Sequence, residues 1–172
     1  MRSNKSSFSV RISVCVISLF WTNQILAKQE NICEGERPLF HCDVARGGAI
    51  ALCPSYLRGE LAGVQYRFWR RGVIELAYPQ SSFSFKDFRY NHYFRSMTDY
   101  KRVSFSRGAY TYSLYANYNG EESFGMTNTS GVTVSNSAEA VDISVACINV
   151  HINSLQNLIP YLKCDAGDAL GC

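Results

Sequence analysis

The sequence predicts a mainly β fold: a single small antiparallel β-barrel or sandwich, its strands in meander order, stapled by disulfides and finished by a short C-terminal helix. Three observations carry this reading. Short segments alternate apolar and polar residues with period two, as Val64, Tyr66 and Phe68 do against Gln65, Arg67 and Trp69, the pattern of a strand with one buried face. Turn signals such as Arg70-Arg71-Gly72 and Asn119-Gly120 punctuate them. Six cysteines remain once the N-terminal segment is set aside.

That segment carries Arg2, Lys5 and Arg11 and no acid, then an apolar run from Ile12 to Trp21 broken by Ser13 and Ser18, and ends Ile25-Leu26-Ala27. A basic start, a short apolar stretch and a small residue before the cut describe a signal peptide. The run is well short of the roughly 20 residues that span a bilayer. Residues 1–27 are therefore expected to be a cleaved signal. Residues 28–172 form one exported β-rich domain, periplasmic or secreted, with no transmembrane segment. The signal takes 3 of the 17 basic residues and none of the 14 acids, leaving the remainder neutral. Its charge is uneven: residues 58–107 hold 10 basic and 4 acidic side chains, and residues 108–172 hold one basic and six acidic.

Cys15 lies in the signal; Cys33, Cys42, Cys53, Cys147, Cys164 and Cys172 follow it. An even set in an exported chain reads as disulfides, and no close C-x₂-C pair points to a metal. A two-residue turn at Gly47-Gly48 would set Cys42 opposite Cys53. Cys147 and Cys164 flank a short segment and form a local pair, which leaves Cys33 with Cys172. A three-residue loop at Arg46-Gly47-Gly48 would instead align Val44 with Ile50 and Cys42 with Leu52, against that pairing.

The elements follow in order. Leu39–Val44 and Ala49–Cys53 form a first hairpin. In the second, Gly72 in the left-handed position of a three-residue loop pairs Phe68 with Ile74, Tyr66 with Leu76 and Val64 with Tyr78, and sets Arg67 opposite Glu75. Aromatic residues crowd between Phe83 and Phe94. Arg102–Phe105 and Ala109–Tyr118 flank Ser106-Arg107-Gly108, with Tyr110, Tyr112 and Leu114 inward. Glu121–Gly131 reads as a polar loop and Val132–Val134 as a short strand, and Val141 to Cys147 alternate as a half-buried strand. Leu155, Leu158, Ile159 and Leu162 have helical spacing behind a cap at Asn153 or Ser154, limited to about two turns by Pro160.

Several of these pieces, taken together, resemble a family of small exported bacterial β-rich proteins: Ala51-Leu52-Cys53, Val64-Gln65-Tyr66-Arg67-Phe68, Glu75-Leu76-Ala77-Tyr78-Pro79, Val103-Ser104-Phe105, Gly108-Ala109-Tyr110-Thr111-Tyr112 and Gly131-Val132-Thr133-Val134. Trp69 stands where that pattern usually has glycine. The resemblance implies an exported β domain and brings no catalytic residues. Size and β content are also analogous to periplasmic lysozyme inhibitors, whose Ser-Gly-x-x-Tyr loop enters the enzyme's cleft. Neither Ser106-Arg107-Gly108-Ala109-Tyr110 nor Ser130-Gly131-Val132-Thr133 fits that loop.

No catalytic constellation is legible. His41, His92 and His151 read as unrelated residues, no G-x-S-x-G elbow is present, and the adjacent Glu121-Glu122 would diverge on a strand. An enzyme would need a deep pocket bringing His92 or His41 to a carboxylate. Asp165 and Asp168 lack the ligand run of a calcium loop. The basic, aromatic middle is the candidate binding surface: Arg67, Trp69, Arg70 and Arg71 in one group, and Arg89, Tyr90, Tyr93 and Arg95, with His92, in another. Cations beside flat rings suit anionic polymers, sugars or an acidic protein cleft. The neutral balance and export speak against nucleic acid. The expectation is a non-enzymatic exported binding protein, an inhibitor or immunity factor against a cell-wall-active enzyme or toxin; the alternative is an envelope-associated protein that binds glycan or lipopolysaccharide. No cofactor or metal is implied.

Overall fold

The computed structural model describes residues 32–121, 127–136, 138 and 141–172. The expected signal segment lies outside them, as does Glu122. Ten strands form one sheet: β1 Phe40–Val44, β2 Gly48–Leu57, β3 Glu60–Arg70, β4 Val73–Tyr78, β5 Phe88–Arg95, β6 Thr98–Arg107, β7 Tyr110–Asn119, β8 Thr127–Asn136, β9 Val141–Asn153 and β10 Lys163–Cys164. Their order is β10-β5-β6-β7-β8-β9-β1-β2-β3-β4. All neighbours are antiparallel except β10 and β5. The expected simple meander is thus split into two, β1–β4 and β5–β9, joined where β9 pairs with β1. The sheet curls into a half-barrel, and the two arms meet through aromatic rings across the gap. Tyr78 on β4 stacks on Phe105 of β6 at 4.4 Å, and Tyr66 on β3 approaches the same ring at 5.1 Å.

Period-two alternation decides what faces the concavity. Phe40, Cys42 and Val44 on β1, Ile50 and Leu52 on β2, Val64 and Tyr66 on β3, and Val103, Phe105, Leu114 and Val132 on β6–β8 are buried in one cluster. Fully burying each large apolar side chain contributes roughly 1.5–3 kcal/mol. Burial also pushes the Tyr66 phenol well above its usual range, with Tyr112 adding to the effect. Leu155, Leu158 and Leu162 enter the same cluster from the chain after β9. They do so from a 3₁₀ turn, Leu155–Leu158, and not from the expected helix. The Asn153 carboxamide accepts from the Leu155 N–H at 3.5 Å, and Pro160 stops the turn from lengthening.

Two hairpins differ from expectation in register. The first closes through Ala45–Gly47, so Val44 faces Gly48 and Cys42 faces Ile50. The second closes on the two residues Arg71 and Gly72, both with positive φ (52° and 86°), the conformation of a tight β-hairpin turn. Tyr66 then faces Tyr78 and Phe68 faces Leu76, and a bulge between Phe68 and Trp69 sets Trp69 opposite Ile74. The buried face of Tyr66, Phe68, Leu76 and Tyr78 is as expected. Ile74 is moved to the other face, and Arg67 faces Ala77 in place of Glu75. Further along, β6 and β8 are longer than expected, β8 taking in the end of the expected polar loop, and Arg107 faces Tyr110 across the β6–β7 turn. Tyr112 and Leu114 pack inward and Tyr110 is exposed.

The disulfides are Cys33–Cys53, Cys42–Cys147 and Cys164–Cys172, which replaces all three expected pairs. Strand alternation is the reason. With Cys42 opposite Ile50, Cys42 points into the concavity and Cys53 points out of it, so the two cannot meet. Cys42 bonds to β9 beside it, and Cys53 bonds to the N-terminal segment lying on the outer face. There Ile32 and Cys33 cover Ala49, Ala51 and Cys53, with Trp69 and Phe83 alongside. The small alanines leave room for this second layer. Three disulfides fit an oxidising compartment, and no helix among the described residues is long and apolar enough to cross a membrane.

Candidate functional site: the outer face of the β5–β6 hairpin

The β5–β6 hairpin turns through Ser96 and Met97, the latter at φ 62°. This sets Tyr93 opposite Tyr100, Asn91 opposite Arg102 and Arg95 opposite Thr98. Alternation from the buried Phe88 places Arg89, Asn91, Tyr93 and Arg95 on the convex outer side, and Tyr90, His92 and Phe94 on the concave side. Tyr93 and Tyr100 therefore stand side by side on the outside, ring centroids 6.2 Å apart and tilted by 37°. Tyr93 is 40% exposed. The Arg95 guanidinium lies 6.0 Å over the Tyr93 ring and is held by Glu121 at 2.6 Å, while its side chain stays 55% exposed.

The C-terminal tail fixes this face from the side. Asn91 is buried and donates through its Nδ2 to the carbonyls of Asp165 at 2.9 Å and Gly171 at 3.0 Å. Arg102 pairs with Asp168, and the Asp165 N–H donates to the Tyr90 carbonyl at 3.0 Å. The disulfide Cys164–Cys172 closes the tail into a loop against β5. That loop covers an edge which would otherwise present unpaired backbone groups.

The candidate residues read from the sequence fall into different environments. Arg67 is not a surface residue: its side chain is 5% exposed. Nε donates to the Gln65 carboxamide oxygen at 2.6 Å, an Nη donates to the Ile32 carbonyl at 2.8 Å, and the other pairs with Glu34 at 3.0 Å. It pins the N-terminal segment to the sheet. Trp69 is half-buried beneath the same segment. Arg70 lies over the Phe68 ring at 4.9 Å and reaches Glu75 at 3.7 Å, while Arg71 is exposed at the turn. The first group is thus split between two faces of β3. Arg89 donates to the carbonyls of Lys86 and Phe88, both at 2.9 Å, and Tyr90 packs against the core. Tyr93 and Arg95 remain together, joined by Tyr100, which the sequence reading did not single out. Neither Ser96 nor Met97 is a residue that marks a two-residue turn, so the sequence carries no sign of the Tyr93–Tyr100 pairing.

Two of the histidines, His41 and His151, are neighbours, and His92 stands apart from them. His92 lies on the concave side with Nε2 3.0 Å from Asp99, whose other carboxylate oxygen accepts from Lys101. Burial alone would raise the Asp99 carboxyl. The hydrogen bonds and charges of Lys101 and His92 outweigh it and hold the group below the usual carboxylate range. On the outer face, His151 lies 2.8 Å from Asp43 and stacks on His41 at 4.9 Å. Among the described residues no group of three or more His, Cys, Asp and Glu side chains is placed to hold a metal ion. No protein-family model, curated protein or solved structure matches this chain.

Proposed function

We propose that the chain is an exported, non-enzymatic binding protein whose outer β5–β6 face docks on a glycan of the cell envelope. The observation that carries this reading is the Tyr93–Tyr100 pair on the outer face, Tyr93 exposed and Tyr100 half-buried beside it, with Arg95 fixed over Tyr93. Two flat rings on a rigid sheet present an apolar surface that the C–H face of a sugar ring covers with little loss of side-chain freedom. Arg95 adds N–H donors for hydroxyls. Glu121 already balances its charge, which favours a hydroxyl-rich ligand over a strongly anionic one. The three disulfides and the resemblance to exported β-rich proteins support placing the protein outside the cytoplasm.

Sedimentation with purified cell wall, repeated across a range of salt, tests this. The protein should co-sediment with little dependence on salt, and Tyr93→Ser with Tyr100→Ser should release it. Unchanged sedimentation of that double variant would remove the proposal. A second reading, an inhibitor that enters a protein cleft, is favoured by one feature. The β2–β3 hairpin tip exposes Tyr56 and Leu57, the latter at 68%, ahead of a rigid turn at Arg58 and Gly59 with φ of 54° and 87°. Capture of an exported enzyme that Leu57→Asp abolishes, with cell-wall sedimentation absent, would favour it.

A further inference from the structure

On the concave side, the inward positions of β6–β9 change character along the strands. At one end they are Val103, Phe105, Leu114 and Val132. At the other, past the plug made by Leu155 and Leu158, Asp99, Lys101, Tyr118, Asn128, Ser130 and Asn153 surround a cleft of about 180 Å³. His92, behind the lining, holds Asp99 in place at 3.0 Å. The side chains of His92, Asp99 and Lys101 are 25%, 24% and 16% exposed. Asp99 is held there by its hydrogen bonds to His92 and Lys101, so a paired polar wall stands beside the apolar core. The apolar core is already complete without them.

From this we infer that the cleft is a second binding site, separate from the outer tyrosine face, that takes one uncharged sugar ring. The charges of Lys101 and Asp99 cancel, so the cleft has no net charge with which to recruit an ion. Its amides, hydroxyl, ammonium and carboxylate both donate and accept, as a ligand made of hydroxyl groups requires. Ala116 and Val150, also in the lining, supply an apolar strip for the C–H face. The volume is below the roughly 300–1,000 Å³ of clefts that enclose drug-sized molecules. It accommodates a single ring, the end or branch of a glycan, and not a chain running through.

Titration of the ¹⁵N-labelled, disulfide-bonded protein with glucose, galactose and N-acetylglucosamine tests the site. At least one of these sugars should shift the amides of Lys101, Ala116 and Ser130 saturably. Ser130→Tyr, which fills the cleft, and Asn128→Ala, at its exposed rim, should each weaken that binding about tenfold or more, equivalent to 1.4 kcal/mol. Tyr93→Ser should leave it unchanged. If Ser130→Tyr disturbs the dispersion of the spectrum, Asn128→Ala decides. The absence of saturable shifts with all three sugars, or unchanged affinity in Asn128→Ala, overturns the inference. A protein that sediments with cell wall through Tyr93 and Tyr100 yet binds none of the three sugars refutes this site alone.

Discussion

Replacing Arg67 with alanine is expected to destabilise the protein by about 3–5 kcal/mol, working from its partners. Its ion pair with Glu34 contributes little, because Glu34 is 71% exposed. The cost lies with the buried acceptors. The Ile32 carbonyl and the Gln65 carboxamide oxygen each lose a charged donor, and a buried polar atom left unpaired costs roughly 1–3 kcal/mol. Gln65 cannot turn away to find another partner, since its Nε2 is held by the Pro79 carbonyl at 2.7 Å. The guanidinium also lies 5.7 Å from the Phe83 ring, a contact worth roughly 0.5–2 kcal/mol. In thermal unfolding followed by circular dichroism, disulfides intact, the midpoint should fall by roughly 10 °C. Arg67→Lys should recover only part of this, because one ammonium cannot reproduce the planar fork. An Arg67→Ala variant within about 0.5 kcal/mol of the parent would refute the assignment of Arg67 to the fold.

Gly63 is expected to tolerate no side chain: a Cβ there would lie 2.8 Å from both the Phe83 carbonyl carbon and the Ser84 nitrogen, so Gly63→Ala should cost about 1–3 kcal/mol in urea denaturation. Removing Cys42–Cys147, which spans 105 residues, by double alanine substitution should destabilise by about 4–5 kcal/mol on loop entropy, against about 2–3 for Cys164–Cys172, which spans 8; equal losses would contradict this ranking. Asp99 has a depressed pKa in the folded protein, so its contribution is present above the unfolded carboxyl value and is lost as pH falls through the folded one. The stability gap between the parent and Asp99→Asn should therefore be full at neutral pH and close in strong acid, and a gap independent of pH would count against the Lys101–Asp99–His92 arrangement.

The parts of the fold legible in the sequence are those that period-two alternation controls. Tyr66, Phe68, Leu76 and Tyr78 were assigned to one buried face because that assignment survives any register shift by an even number of residues. Register itself was not legible. The bulge at Phe68 and Trp69 and the positive φ of Arg71, a non-glycine residue, shift β4 against β3 without a compositional sign. Cysteine pairing failed for the same reason, since the face on which Cys42 or Cys53 stands depends on the β1–β2 register. Strand order is not legible because β9 joins β1 through pairs as far apart as Phe40 and Asn153, a non-local pairing that no turn signal announces. Arg67 was misread because nothing in the sequence shows that residues 32–34 return to lie over it. The polar cleft is not legible because its residues sit on β6–β9 at positions that only the pairing and curl of the sheet bring together.

The most direct test of the proposed function is equilibrium binding of soluble cell-wall glycan fragments to the parent protein and to the Tyr93→Ser/Tyr100→Ser double variant. At roughly 1 kcal/mol for each ring, the double variant should bind about thirtyfold more weakly while unfolding at the same temperature. Equal affinity of the two proteins would contradict the proposal that this outer face binds the envelope glycan.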